Sequence, residues 1–201
     1  MNNSVSERKS SKLTLADILV TAVIALVFAV VYVLWAQFYA FVTPFGFHIN
    51  ELVYGMWFIA ATIAFLVIRK PGVAIIAELV AASGEFILGS PYGVPLLIYG
   101  LIQGIGAELV FAAFRYKRFS VIVVSLAAIG ATIGSLVVDY FNGYIVDLAL
   151  WNLLIMIGAR TLGAIVIAGI FAYAIVKALE LTGVTNLVRP VEQKDYEALE
   201  D

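Results

Sequence analysis

VAIIAELVAASGEFILGS, residues 73–90, is an apolar run with a Pro71-Gly72 step before it and Pro91-Tyr92-Gly93 after it. Length and flanks predict a helix that is short for a bilayer and so tilted or broken. Two carboxyls interrupt the run, Glu78 and Glu85. They are one heptad apart and share about the same helix face. A carboxylate in lipid is expensive, and an intramembrane ionisable residue is a candidate for function by default.

The rest of the chain is equally apolar. Hydrophobic residues make up 63% of the 201, whereas a soluble domain is about half apolar. The chain therefore reads as an all-α integral membrane protein with little room for a soluble domain. Turn-forming clusters at Thr43–Gly46, Arg69–Gly72, Gly89–Gly93, Arg115–Arg118 and Asn142–Tyr144 separate six predicted spans. These are roughly 15–40, 52–69, 72–89, 95–114, 120–141 and 150–178. The expected organisation is an N-terminal segment 1–14, a six-helix membrane bundle 15–181 and a polar, acidic tail 182–201. The apolar run Ile18–Val42 follows a polar basic start. It is too long for a signal-peptide core, so it is expected to be a retained first helix.

Charge asymmetry sets an expected orientation. Arg8, Lys9, Lys12, Arg69, Lys70, Arg115, Lys117, Arg118, Lys177, Arg189 and Lys194 all fall on one side of the predicted spans, and Arg160 is inside the last. The positive-inside rule then puts both termini in the cytoplasm. The opposite side gathers Trp35, Trp57 and Trp151 with Tyr32, Tyr39, Tyr54, Tyr92, Tyr99, Tyr140 and Tyr144. An interfacial belt explains part of this. A belt marks both interfaces, however, and the basic side has little beyond Tyr116 and Tyr173. Several of the rings are therefore expected to line a pocket.

Polar residues converge at that depth. Glu85 is the leading ligand candidate; the alternative is a carboxylate wetted by interfacial water. Tyr99 and Gln103 lie one turn apart, Asp139 closes span 5, and Trp151 and Asn152 open span 6. His48 and Glu51 lie in the first outer loop, and the lone histidine offers no metal site. For each of these, loop solvation or capping is the alternative. Glu108 and Arg160 begin about 20 and 15 Å below the aromatic surface. A buried arginine needs a carboxylate, so Arg160 is expected to form a structural ion pair with Glu108 or Glu78. Gly100/Gly104, Gly130/Gly134 and Ala159/Gly163 are four-residue repeats that allow close helix approach. Ala25 and Ala29, with Ala22 on a neighbouring row, serve either bundle packing or a docking face for another membrane subunit.

Several classes are excluded. The chain has no cysteine, hence no disulfide and no thiolate chemistry. It has no G-x-x-x-x-G-K-[ST] and so no phosphate-binding loop of its own, and no HExxH. "GIGAEL", residues 104–109, imitates a dinucleotide motif but lies mid-membrane with no preceding strand. No nucleophile sits with a base, no cofactor is implied, and no basic run suggests nucleic acid.

Three segments carry a family resemblance: FGFHINELVYGMWF (45–58), GEFILGSPYGVPLLIYGLIQGIGAELVFA (84–112) and WNLLIMIGARTLGA (151–164). With six spans, the chain resembles the S components of energy-coupling-factor (ECF) transporters, nearest to those assigned to thiamin or its hydroxymethylpyrimidine precursor. The resemblance implies a high-affinity vitamin pocket at the outer ends of the helices of a bacterial plasma-membrane protein. It also implies a transmembrane coupling subunit and two cytoplasmic ATPases as partners, and an alanine-x-x-x-alanine face on helix 1, matched by Ala25 and Ala29, that docks the coupling subunit. The chemistry is compatible. Trp57, Tyr92, Tyr99 and Trp151 offer stacking walls, Glu85 a partner for an amino group or cation, and Gln103 and Asn152 an edge for a pyrimidine. The absence of basic residues on the outer side argues against an anionic vitamin. Alternatives are an S component for another vitamin such as riboflavin or biotin, a proton-coupled carrier using Glu78, Glu108 and Arg160, and a ligand-free scaffold.

Overall fold

The computed structural model describes residues 12–188. The expected end segments, 1–14 and 182–201, lie mostly outside them. The described residues are helical, without strands. In order they are α1 (Leu15–Val42), α2 (Ile49–Val53), a 3-10 turn (Tyr54–Phe58), α3 (Ile59–Ile68), α4 (Val73–Ile87), α5 (Pro95–Ala113), α6 (Val121–Phe141), α7 (Leu150–Ala164), a π-helical segment (Ile165–Phe171) and α8 (Ala172–Leu181). Five stretches are long and apolar enough to cross a membrane: Leu15–Phe45, Ile49–Ile68, Pro95–Ala113, Val121–Phe141 and Leu150–Leu181. With fifteen residues, α4 is only about 22 Å long. These helices make the chain a multi-pass membrane protein.

Local sequence explains the helix starts. Thr14 and Asp17 form a reciprocal capping box at the start of α1, and Lys70 pairs with the same carboxylate at 2.5 Å. Ser120 caps α6 through Val123 N, and Pro95 opens α5. Gly72 precedes α4 with no side chain to cap it. The cap comes from a neighbour: Glu108 of α5 accepts from Gly72 N at 2.6 Å and Ala74 N at 3.0 Å. A carboxylate there also meets the positive end of the helix dipole. Glu108 is thus a tertiary helix cap at the basic end of the bundle, not a partner of Arg160.

Small residues set the helix spacing, as membrane packing requires. A Cβ on Gly104 would lie 2.9 Å from Ile75 Cα of α4, and one on Gly134 would lie 2.6 Å from Ile102 O of α5. A Cβ on Gly163 would lie 2.1 Å from Leu52 O, so α2 rests directly on α7. Ala25 and Ala29 are fully buried, and Ala29 faces Gly84 of α4. The expectation that they form a docking face for another subunit is therefore corrected: this stripe is internal packing, and Ala22 beside it is half-buried.

The rod Ile49–Ile68 changes to 3-10 geometry at Tyr54–Phe58. This break turns Tyr54 and Trp57 into the bundle at the end where aromatic residues gather.

Candidate substrate-binding site

A cavity of about 380 Å³ opens at the aromatic end between α1, α2, α4, α5, α6 and α7. That size is within the range of small-molecule sites. One wall is α4. Glu85, fully buried, accepts from Trp57 Nε1 at 3.1 Å and Ser90 Oγ at 2.9 Å. One heptad away, Glu78 accepts from Tyr32 OH at 3.1 Å and Ala61 N at 3.1 Å. Among the described residues neither carboxyl has a cationic side chain within ion-pair distance. The short α4 thus brings both carboxyls of the run at 73–90 to one cavity wall.

The opposite wall is built on Arg160. Its Nε donates to Glu51 Oε2 at 2.6 Å, and its Nη1 to Asp139 Oδ2 at 2.5 Å and Ser135 Oγ at 3.0 Å. The guanidinium lies 4.0 Å from the centroid of Tyr54. Tyr39 OH donates to Glu51 at 2.8 Å, and Tyr99 OH donates to Asp139. The expected pairing of Arg160 with Glu108 or Glu78 is corrected accordingly. A long side chain carries the charge from mid-helix toward the aromatic end, where α2 and the last turn of α6 present their own carboxylates.

Rings complete the walls. Trp57 packs edge-on to Tyr39 at 5.2 Å and to Tyr92 at 6.0 Å, and tilted against Tyr54 at 5.4 Å. Gln103 is buried and faces the cavity, 3.5 Å from Tyr54 OH. Of the residues expected from sequence, His48, Glu51, Trp57, Glu85, Tyr92, Tyr99, Gln103 and Asp139 line the cavity. Trp151 and Asn152 do not. They line a separate hollow with Phe47 and Thr43, where Trp151 is 66% exposed. Asn152 still touches the site indirectly, since its Oδ1 is 2.6 Å from His48 Nε2. Tyr32, Tyr39, Tyr54, Glu78 and Arg160 line the cavity as well. The clustering of the three tyrosines was visible in the sequence, but the helix faces that these five residues occupy were not.

Three comparisons bear on this geometry. Residues 16–134 match the family described as ABC-type cobalt transport system, permease component. YkoE of Bacillus subtilis (strain 168), named an HMP/thiamine permease protein, is 39% identical over 171 residues, which is 85% of this chain and 86% of that protein. A crystal structure of an S-component of ECF transporter superposes with a TM-score of 0.86 at 37% identity, covering 94% of this chain and 98% of that one. The chain belongs to the ECF S components. This S component superposes on the solved relative over almost its whole length.

Proposed function

We propose that this S component is the high-affinity substrate-binding subunit of an ECF-type ABC importer. It takes thiamin or its hydroxymethylpyrimidine precursor into the cavity at the aromatic end. It delivers the ligand together with a transmembrane coupling subunit and two cytoplasmic ATPase subunits, since it has no phosphate-binding loop of its own. It sits in a bacterial plasma membrane as a six-span bundle, with α4 as the short third span. Both termini are cytoplasmic, in keeping with the basic residues at that end.

The observation that carries this reading is Glu85. A buried carboxyl with no cationic partner among the described residues faces a cavity walled by Trp57, Tyr54, Tyr92 and Tyr99. Such a wall suits a planar cation or an amino-substituted heteroaromatic ring. Each cation–π contact contributes about 0.5–2 kcal/mol, and a hydrogen bond to a charged group about 1.5–3 kcal/mol. Thiamin brings both features, an aminopyrimidine and a cationic thiazolium. The name of the Bacillus relative points to the same ligand class.

A divalent cation is the second reading, because the matched family is described by cobalt transport. It fits less well. Among the described residues no three His, Cys, Asp or Glu side chains gather as a metal would need, and the aromatic walls would be idle. Titration of the isolated protein in detergent with thiamin, hydroxymethylpyrimidine, riboflavin, biotin and Co²⁺, followed by tryptophan fluorescence, separates these readings. Quenching by thiamin or hydroxymethylpyrimidine at submicromolar concentration is expected. Saturable binding of Co²⁺ or riboflavin alone would overturn the assignment.

A further inference from the structure

Among the described residues Arg160 is the one Lys or Arg that lines the cavity. A guanidinium in a water-poor pocket is the usual anchor for a carboxylate or phosphate, because its planar fork matches two oxygens. Here the fork is turned onto the protein itself. Glu51 of α2 and Asp139 of α6 each hold it at ion-pair distance, 2.6 and 2.5 Å. Each of these carboxylates is pinned in turn by a tyrosine hydroxyl, Tyr39 from α1 and Tyr99 from α5. One carboxylate would neutralise the guanidinium. The second leaves the cluster negative in a buried place, where excess charge is costly. Stability alone does not call for it.

We propose that Glu51 and Asp139 are selectivity residues that mask Arg160, so that the cavity takes cationic or neutral heteroaromatic alcohols and rejects their phosphate esters. A phosphate entering the cavity would have to displace one carboxylate from Arg160 and then sit among the acidic groups of Glu51, Glu78, Glu85 and Asp139, all of which line the same space. A cationic ligand meets the opposite situation. The masked arginine does not repel it, and Glu85 and Glu78 attract it. The inference rests on the binding role proposed above but not on the identity of the vitamin.

The test compares thiamin with thiamin monophosphate on the wild type and on Asp139→Asn, an isosteric change that frees part of the guanidinium while Glu51 still holds Nε. Like-charge juxtaposition predicts that the wild type prefers thiamin at least about a hundredfold. The variant is expected to shrink that ratio at least about tenfold, chiefly through tighter binding of the phosphate ester. An unchanged ratio in a folded variant overturns the masking. If Asp139→Asn does not fold, Glu51→Gln is read in the same way. A thermal-melt series with phenyl phosphate separates the failure of the thiamin reading from the failure of this one. Should the wild type bind no thiamin, protection by phenyl phosphate in Asp139→Asn but not in the wild type still supports masking. Protection of neither or of both refutes it.

Discussion

Replacing Arg160 with methionine isolates the structural half of the site. The side chain is 4% exposed, and Glu51 and Asp139 are each 5% exposed. Methionine keeps the length and apolar volume but removes the cation from both carboxylates. Breaking a buried ion pair by removing one partner costs about 3–5 kcal/mol, because the remaining charge is left uncompensated. Two carboxylates lose the same partner here, so the upper end applies. Tyr39 and Tyr99 still donate to them and do not restore charge balance. At about 2–4 °C per kcal/mol for a chain of this size, the melting temperature in detergent should fall by roughly 10–20 °C. The same substitution combined with Glu51→Gln and Asp139→Asn removes the stranded charges and should recover most of the loss. A fluorescence-detected thermal melt of the three proteins reads the result. A drop of less than about 2 °C for Arg160→Met, or recovery by Glu78→Gln or Glu108→Gln instead of by the Glu51 and Asp139 changes, would refute the assignment of the cluster.

Other positions make separate claims. Glu85→Gln keeps an acceptor for Trp57 Nε1 and offers a donor to Ser90, whose hydroxyl accepts as readily as it donates. The fold should therefore survive while the affinity for thiamin falls about 10- to 100-fold, the equivalent of one charge-assisted contact; calorimetry measures it. Gly163→Val places a Cβ 2.1 Å from Leu52 O, against backbone that cannot step aside. It should displace α2, weaken ligand binding at least about tenfold and lower the melting temperature, since overpacking costs about 1–3 kcal/mol or more. Glu108→Ala removes the cap of α4 at the far end from the cavity. It should cost about 1–3 kcal/mol of stability with thiamin affinity in the folded fraction unchanged, which a melt and a titration on the same sample distinguish.

The sequence disclosed elements better than faces. Turn clusters and basic residues marked the ends of the helices, and α4 was recognisable as short because Pro71-Gly72 and Pro91-Tyr92-Gly93 bracket it so closely. Glu85, Trp57, Tyr99, Gln103 and Asp139 were identifiable because polar and aromatic groups repeat at one depth. Rotation about the helix axis was harder to read. In a bilayer the outward face is as apolar as the packed one, so the 3.6-residue period that reveals the inner face of a soluble helix is muted. Ala25 and Ala29 therefore admitted either role until their burial, and the contact of Ala29 with Gly84 of α4, placed them inside. Depth counted at the Cα misled for Arg160, whose side chain reaches the carboxylates of α2 and α6 rather than those of α4 and α5. Glu108 looked like a mid-membrane charge, but the uncapped start of α4 at Gly72 was the clue to its partner. Trp151 sits at the right depth and on the wrong face.

The most direct test is an isothermal titration of the isolated, folded protein in detergent with thiamin. One-to-one binding at submicromolar Kd, with competition by hydroxymethylpyrimidine, is the predicted result. No heat and no competition, from protein shown by its melt to be folded, would contradict the proposal that this S component binds thiamin or its precursor.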